Sequence, residues 1–388
     1  MKCVSALSTA GNTDAALAGV VERARGELAG EPADLALIFG SPHHADSLGR
    51  VAATLREQGV CRHVLGCTGE SIVGEDREVE AAPALSIWLI RCPGARFEPL
   101  RLTFDGEGFP GFLDGPVFPP SATLLLLGDP FTFPSDQFLK QVNEGRPGLP
   151  VIGGMASGGH SPGSNRLVLD EQVYVDGAVA VAIDGPLTLR TIVSQGCRPV
   201  GRPLIVTKVE RNIIRELGRR PALEVLREIF AELSEEDQAR VQDGLHVGRV
   251  INEYQEHFER GDFLVRNVLG GDESGGIAIT DFVRVGQTVQ FHVRDAETAD
   301  EDLRGLLDAE RRARPNATAR GALLFSCNGR GSRLFPGPNH DVNLIHEVLG
   351  PLPVAGFFAM GEIGPIGGQN FIHGFTASIV LFEEHVGK

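Results

Sequence analysis

The sequence predicts an α/β (α+β) fold: a two-domain layered sandwich with mixed β-sheets, built from three related strand–helix–strand–Gly-loop–strand units plus a β-rich segment in the second half. Three observations carry this prediction. Continuous apolar runs, Leu35 to Phe39, Leu124 to Leu127 and Ala322 to Phe325, each end in a short turn and lead into an amphipathic stretch. A second apolar strand and a glycine cluster follow each amphipathic stretch. The 49 glycines of this 388-residue chain, an excess over ordinary usage, fall in those clusters.

Strands that read as unbroken apolar runs suit sheets covered on both faces, and strand–helix–strand steps imply right-handed parallel crossovers. In the first unit the helix carries Leu48, Val51, Ala52 and Leu55 on one face, and Gly59 stops it. His63-Val64-Leu65, the turn Gly66 to Glu70 and a return strand from Leu85 to Ile90 follow. The second unit has Phe138, Leu139 and Val142 on its helix, then Val151 to Gly159 and a return strand from Ala178 to Ile183. The third has Leu344, Ile345, Val348 and Leu349, then Val354 to Phe358, the glycine-dense stretch Gly361 to Gly368 and a last strand from Ala377 to Phe382. A tight turn before each return strand makes it antiparallel to its neighbour.

Between the second and third units the pattern changes to a helix over 221–233, strands near 263–268, 277–279 and 289–293, and a helix over 300–312. The stretch 196–203 is the best boundary, giving domains 1–202 and 203–388, and the Gly/Pro-rich stretch 105–120 reads as a surface loop.

Composition narrows the function. With 36 basic and 51 acidic residues the net charge is −15, which repels phosphate, so neither nucleic acid nor an anionic membrane is an expected partner. Six cysteines without a C-x-x-C pair or zinc-ligand spacing predict reduced thiols and no metal. There is no secretory leader pattern and no apolar run of about 20 residues, so a cytoplasmic location is expected. Gly159-His160-Ser161-Pro162-Gly163 fits G-x-S-x-G by chance, because it leads into a strand rather than a helix. No dinucleotide fingerprint, phosphate-binding loop or H-E-x-x-H is present, and no cofactor is expected.

Ligands in open α/β sheets bind beyond the carboxyl ends of parallel strands, where backbone N–H groups and helix N-termini point. The glycine turns fall there, so they are expected to share one rim around a pocket. The candidate ligand-binding residues are Cys327, Asn328, Gly329, Arg330, Gly361, Glu362, Asn370, Cys67, Thr68 and Ser157. Arg330, between two glycines, would fork a ligand carboxylate while Glu362 receives an ammonium group, with Asn328 and Asn370 adding directional hydrogen bonds. A structural ion pair involving Arg330 or Glu362 is the alternative. Cys327 or Cys67 as a nucleophile would instead make the protein a cysteine-dependent enzyme or redox sensor, and a third reading is a protein-interaction scaffold.

The strings Phe325-Ser326-Cys327-Asn328-Gly329-Arg330-Gly331, Val354 to Pro365 and Asn370 to Thr376 resemble the C-terminal half of FIST (F-box and intracellular signal transduction) proteins. Leu65-Gly66-Cys67-Thr68-Gly69 and Gly153-Gly154-Met155-Ala156-Ser157 are similar to the N-terminal domain of that family. The resemblance implies a sensory module for small ligands such as amino acids and brings no established catalytic set with it. With no room for a kinase, cyclase or F-box segment, the expectation is a stand-alone intracellular sensor that binds an amino acid or related carboxylate and signals through a partner protein.

Overall fold

In a computed structural model of the chain, which describes residues 1–112, 115, 118–255, 257–258, 260–315 and 318–385, the three apolar runs become the first strands of three parallel pairs. Ala33–Gly40 pairs with Cys61–Thr68, Thr123–Gly128 with Val151–Met155, and Ala319–Cys327 with Val354–Ala359. The helices between them are Leu48–Glu57, Ser135–Gly145 and His340–Leu349, each burying the apolar face its spacing predicts. Antiparallel return strands, Leu85–Arg91, Ala178–Asp184 and Thr376–Glu384, lie against the first strand of each pair. The fold is mixed α/β with mixed sheets, as the sequence predicts. Of the stretch 105–120, residues 113, 114, 116 and 117 lie outside the described residues.

One glycine marks the common register of the three repeats. Gly66 stands opposite Ile38, Gly153 opposite Leu126 and Gly356 opposite Leu324. A Cβ at these positions would lie 2.4, 1.9 and 1.8 Å from the carbonyl oxygens of Ile38, Leu126 and Leu324, so the parallel strands meet only over a glycine. Gly153→Ala is therefore expected to cost about 3 kcal/mol, since backbone cannot give way as a side chain can. Gly367→Ala, also at positive φ but with open space around it, should cost about 1 kcal/mol for conformation alone. Urea denaturation of the two variants separates these terms, and equal losses would refute the steric reading.

Each repeat also extends a hairpin between its second parallel strand and its return strand, and the hairpin leaves its own sheet. Ile72–Gly74 and Arg77–Val79 of the first repeat add to Val354–Ala359 of the third. Leu167–Leu169 and Gln172–Tyr174 of the second add to Cys61–Thr68 of the first. Glu362–Ile366 and Gln369–His373 of the third add to Val151–Met155 of the second. Among the described residues this cyclic exchange yields three six-stranded sheets of one strand order, completed at the far edge by Lys2–Ser8, Arg96–Leu102 and Leu187–Gln195. Most of the glycine-dense stretch 361–368, expected to be a rim loop, is thus a hairpin seated in another repeat's sheet.

Alternation along the first strands explains why they read as unbroken apolar runs. Leu35, Leu37 and Phe39, Leu125 and Leu127, and Leu323 and Phe325 face one core shared by all three repeats. Phe39 meets Phe357 there at a centroid distance of 5.3 Å and Phe325 at 6.5 Å. The intervening Ala36 and Ile38 pack on the helices of the first repeat, and Leu124 and Leu126 on Phe138, Leu139 and Val142.

By compactness the chain divides into two bodies, residues 1–193 with 304–388 and residues 194–303. The expected boundary at 202/203 divides the sequence into continuous halves, whereas the body of three repeats is discontinuous. In the second body the strands run in the order Cys197–Glu210, Thr288–Arg294, Leu245–Val250, Phe263–Gly271, Ile277–Ile279, Ile213–Leu217. The last pairs back onto the first, closing a six-stranded antiparallel barrel. Closure leaves that ring no unpaired edge. Val206, Ile214, Val247, Val289 and Phe291 fill its core with Val225 and Ile229 from the helix Ala222–Glu232. No described helix is long and apolar enough to cross a membrane.

Candidate functional site

The glycine turns after the second parallel strands do converge. Ser157 N donates to Thr68 O at 3.1 Å, Phe358 N to Ser71 O at 2.9 Å, Met155 N to Gly361 O at 2.8 Å and Met360 N to Met155 O at 3.0 Å. The Ser157 hydroxyl joins all three repeats, accepting from Glu70 N at 2.7 Å and donating to Phe358 O. Thr68 Oγ1 donates to Asn165 Oδ1 at 3.4 Å and accepts from Arg166 N at 3.1 Å. Thr68 and Ser157 are buried, and the place where the turns meet is tied shut by their own hydrogen bonds. The expected pocket at this meeting point is therefore corrected: backbone groups that a ligand would use already serve one another.

Arg330 lies beside this junction, in the loop that leads to the helix His340–Leu349. It is 1% exposed and does not stand free as a fork for a ligand. Asp341, in the first turn of that helix and fully buried, takes the fork: Nε reaches Oδ2 at 2.8 Å and Nη2 reaches Oδ1 at 2.7 Å. Ser326 Oγ donates to Oδ2 at 2.9 Å, His340 Nδ1 lies 3.0 Å from Oδ1, and the Phe335 ring lies 5.2 Å below the guanidinium carbon. Burial pushes the Asp341 carboxyl up, but the Arg330 charge and hydrogen bonds outweigh it and hold the group well below the ordinary carboxylate range.

The first repeat's exchanged hairpin holds the same loop. Glu78 Oε1 accepts from Val342 N at 2.9 Å, and Glu78 N donates to Asn339 Oδ1 at 2.8 Å. Just after the hairpin, Glu80 accepts from Ser332 N and Oγ, at 2.9 and 2.6 Å. Arg333 pairs with Glu70. Burial, followed by the neighbouring Asp341 charge, pushes Glu78 up to about 8.

Glu362 starts the third repeat's exchanged hairpin and is fully buried. Thr376 donates twice to its Oε2, from Oγ1 at 2.8 Å and from N at 3.2 Å. Burial nevertheless pushes the carboxyl up to about 8, which favours the acid over the anion expected to receive an ammonium group. With Oε2 accepting both Thr376 donors, the proton belongs on Oε1.

Cys327 lies beside Glu362 and Arg330, with the N–H groups of Gly329 and Phe375 directed at its sulfur. Burial, then the Glu362 charge, pushes its thiol up to about 12. The repeat explains why: counting from the matched register, Cys327 occupies the place of Ser41 and Asp129, and Ser41 Oγ likewise accepts the N–H before its return strand, from Ala84 at 3.0 Å. Cys67 is fully buried in the shared core, where burial raises its thiol well above its ordinary value. Both shifts favour the protonated thiol over the thiolate that nucleophilic catalysis requires.

Four buried polar atoms in this neighbourhood have no hydrogen-bond partner among the described residues: Arg330 Nη1, Glu362 Oε1, Asn328 Oδ1 and Glu78 Oε2. The Arg330 charge reaches both Cys327 and Glu362. Asn328 N is tied to Ala359 O at 3.1 Å, and Asn328 and Gly329 remain half-buried between that turn and Arg330. Gly361 belongs to the closed junction and, lacking a Cβ, clears Ile372, which a methyl there would meet at 2.8 Å. Asn370 stands apart from the group. Its amide is consumed by Val151 N, Asn143 Oδ1 and Leu149 O at 2.8 to 3.0 Å, joining the exchanged hairpin to the second repeat.

The structure thus brings together Cys327, Asn328, Gly329, Arg330 and Glu362, with Gly361, Thr68 and Ser157 in the closed junction beside them and Cys67 and Asn370 elsewhere. Sequence reasoning missed Asp341, Glu78 and Thr376. An acid in the first turn of a predicted helix was a visible signal for Asp341; Glu78 and Thr376 carry none. Among the described residues no cluster of three His, Cys, Asp or Glu side chains is arranged to hold a metal ion.

A family model described as the FIST N domain matches residues 34–220, and one described as the FIST C domain matches residues 222–365. The chain is 45% identical over 364 residues to the uncharacterized protein Mb0898c of Mycobacterium bovis, covering 93% of each. It is 42% identical over 379 residues to the uncharacterized protein MT0656 of Mycobacterium tuberculosis, covering 97% of this chain and 98% of that one.

Proposed function

The chain belongs to the FIST family, whose domains are associated with signal transduction, and from that premise we propose that it is a sensory protein that binds a small carboxylate-bearing molecule, amino acids included, and passes the signal to a partner protein. The observation that carries this reading is the set Arg330 Nη1, Glu362 Oε1, Asn328 Oδ1 and Glu78 Oε2, buried without partners among the described residues. Unpaired buried polar groups each cost about 1–3 kcal/mol, and a ligand that pairs them recovers that cost on binding.

The setting suits a sensor. Glu362 opens a strand seated in the second repeat's sheet, and the Arg330 loop is held by glutamates of the first repeat. A ligand touching both therefore bears on contacts among all three repeats. It shifts the protein between states only through a difference in affinity for them.

The test is a thermal-shift screen of the full chain against amino acids and small carboxylates. Saturation at about 100 times Kd should add about 2.7 kcal/mol. Asn328→Ala, which leaves the Arg330–Asp341 pair intact, should remove the shift. Silence across the library, or an undiminished shift in the variant, would overturn the proposed site.

A further inference from the structure

From the second body alone, and independently of the ligand site proposed above, we infer that one end of the barrel is a docking surface for a partner protein, which it takes by an acidic segment carrying apolar anchors. Ten large apolar side chains stand exposed among the described residues, and the five most exposed, at 55–97%, all belong to residues 194–303. Four of those five, Ile205, Tyr254, Phe282 and Val285, lie at one end of the barrel.

Strand direction and hydrogen bonds put them together. Thr288–Arg294 runs antiparallel to Cys197–Glu210 and to Leu245–Val250, so its start lies level with Ile205 and with the end of Leu245–Val250. Val206 N donates to Gln287 O at 2.9 Å and Gly286 N to Val206 O at 2.8 Å, which seats the Val285 turn against Ile205. Thr288 N donates to Glu253 Oε1 at 2.8 Å and so brings in the turn that carries Tyr254. Ile279 N donates to Asn212 O at 3.0 Å, which sets Arg211 beside the segment leading to Phe282.

Uncommitted cations flank these side chains. Arg211, Arg219 and Arg284 are exposed and form no ion pair among the described residues. Gly218 N donates to Ile205 O at 2.9 Å, so Arg219 follows directly on the Ile205 contact, and Arg284 precedes Val285. By contrast Glu210 is paired with Arg215, Asp281 with Arg266 and Arg249, and Glu253 with the Thr288 N–H. Apolar and aromatic anchors rimmed by arginine are the make-up of a protein interface, and carboxylates are what complement that rim. The net charge of −15 belongs to the whole chain, and charge farther off than about 8 Å is screened at physiological ionic strength. The local cations therefore decide.

Selection of a random-peptide display library on the full chain, with counter-selection on the Phe282→Ser, Val285→Ser double variant, tests this. Both positions are exposed, so the variant should fold as the unaltered chain does. Peptides held by the unaltered chain and not by the variant should be rich in Asp and Glu around an aromatic or leucine anchor. The tightest of them, labelled with fluorescein, should bind about tenfold more weakly to an Arg219→Glu, Arg284→Glu variant, and more weakly in raised salt. Finding no patch-dependent peptide, or only neutral and basic ones, would overturn the inference, as would unchanged affinity in the arginine variant. Sedimentation of the unaltered chain as a dimer that the Phe282, Val285 variant loses would assign the surface to a second copy. Patch-dependent adsorption to phosphatidylcholine–phosphatidylserine vesicles would assign it to lipid, and either result would overturn the acidic partner. None of these variants touches Arg330 or Asn328, so the ligand site stands or falls separately.

Discussion

Replacing Asp341 by asparagine is expected to destabilise the three-repeat body by about 3–5 kcal/mol, because it strands the Arg330 guanidinium in an interior that was built around a carboxylate. Arg330 is 1% exposed and Asp341 not at all, so water cannot take over the lost charge. The asparagine keeps the size of the side chain and one acceptor, which isolates the charge from packing. An Arg330→Met, Asp341→Leu double variant should recover most of the loss, since removing both partners of a buried pair leaves no uncompensated ion. Trp88, the chain's one tryptophan, lies in the shared core against Phe382 at a centroid distance of 4.6 Å, so its fluorescence during urea denaturation reports this body. A loss below about 1 kcal/mol in the single variant would show that the pair is hydrated in solution.

That interaction also shows where reading the sequence succeeds. Arg330 stood out because glycines flank it, and it is indeed the most deeply buried cation of the loop. Its partner was written eleven residues later at the start of a helix, but a side chain's choice between a ligand and a neighbour depends on how the intervening loop folds back. Local pattern fixed the helices Leu48–Glu57 and His340–Leu349 and the three parallel pairs, because apolar spacing and the Gly66, Gly153 and Gly356 register act over a few residues.

The hairpin exchange was hidden for the opposite reason. Ile72 pairs with Phe357, a residue at the far end of the chain, and nothing in the short segment Ile72–Gly74 names the sheet it will join. The second body was hidden too. The FIST N and FIST C matches meet between residues 220 and 222, inside the span of the barrel, while the three repeats lie on both sides of it. Continuous sequence halves and discontinuous compact bodies are different partitions, because a barrel inserted between the edge strand and the first parallel strand of a repeat leaves the repeat's own pattern unchanged.

Glu362 supplies the second large effect, and its sign follows from proton linkage. The buried carboxyl has a pKa of about 8 in the folded chain against 4.5 for the free side chain. Between those values the folded state holds a proton that the unfolded state has released, so stability falls as pH rises. Below about pH 4.5 both states are protonated and above about pH 8 both are ionised, so the loss is confined to the window between them. At 1.36 kcal/mol per pH unit the full loss is on the order of 5 kcal/mol. Glu362→Gln removes it: the amide oxygen can accept the two Thr376 donors, and no proton is exchanged. The difference in stability between Glu362→Gln and the unaltered chain should therefore grow in favour of the variant across the window and then level off. Taking the difference cancels Glu78, which titrates in the same direction in both proteins. Urea midpoints read from Trp88 fluorescence from about pH 5 to about pH 9 give the curve. A flat difference would place the Glu362 proton in the unfolded chain as firmly as in the folded one.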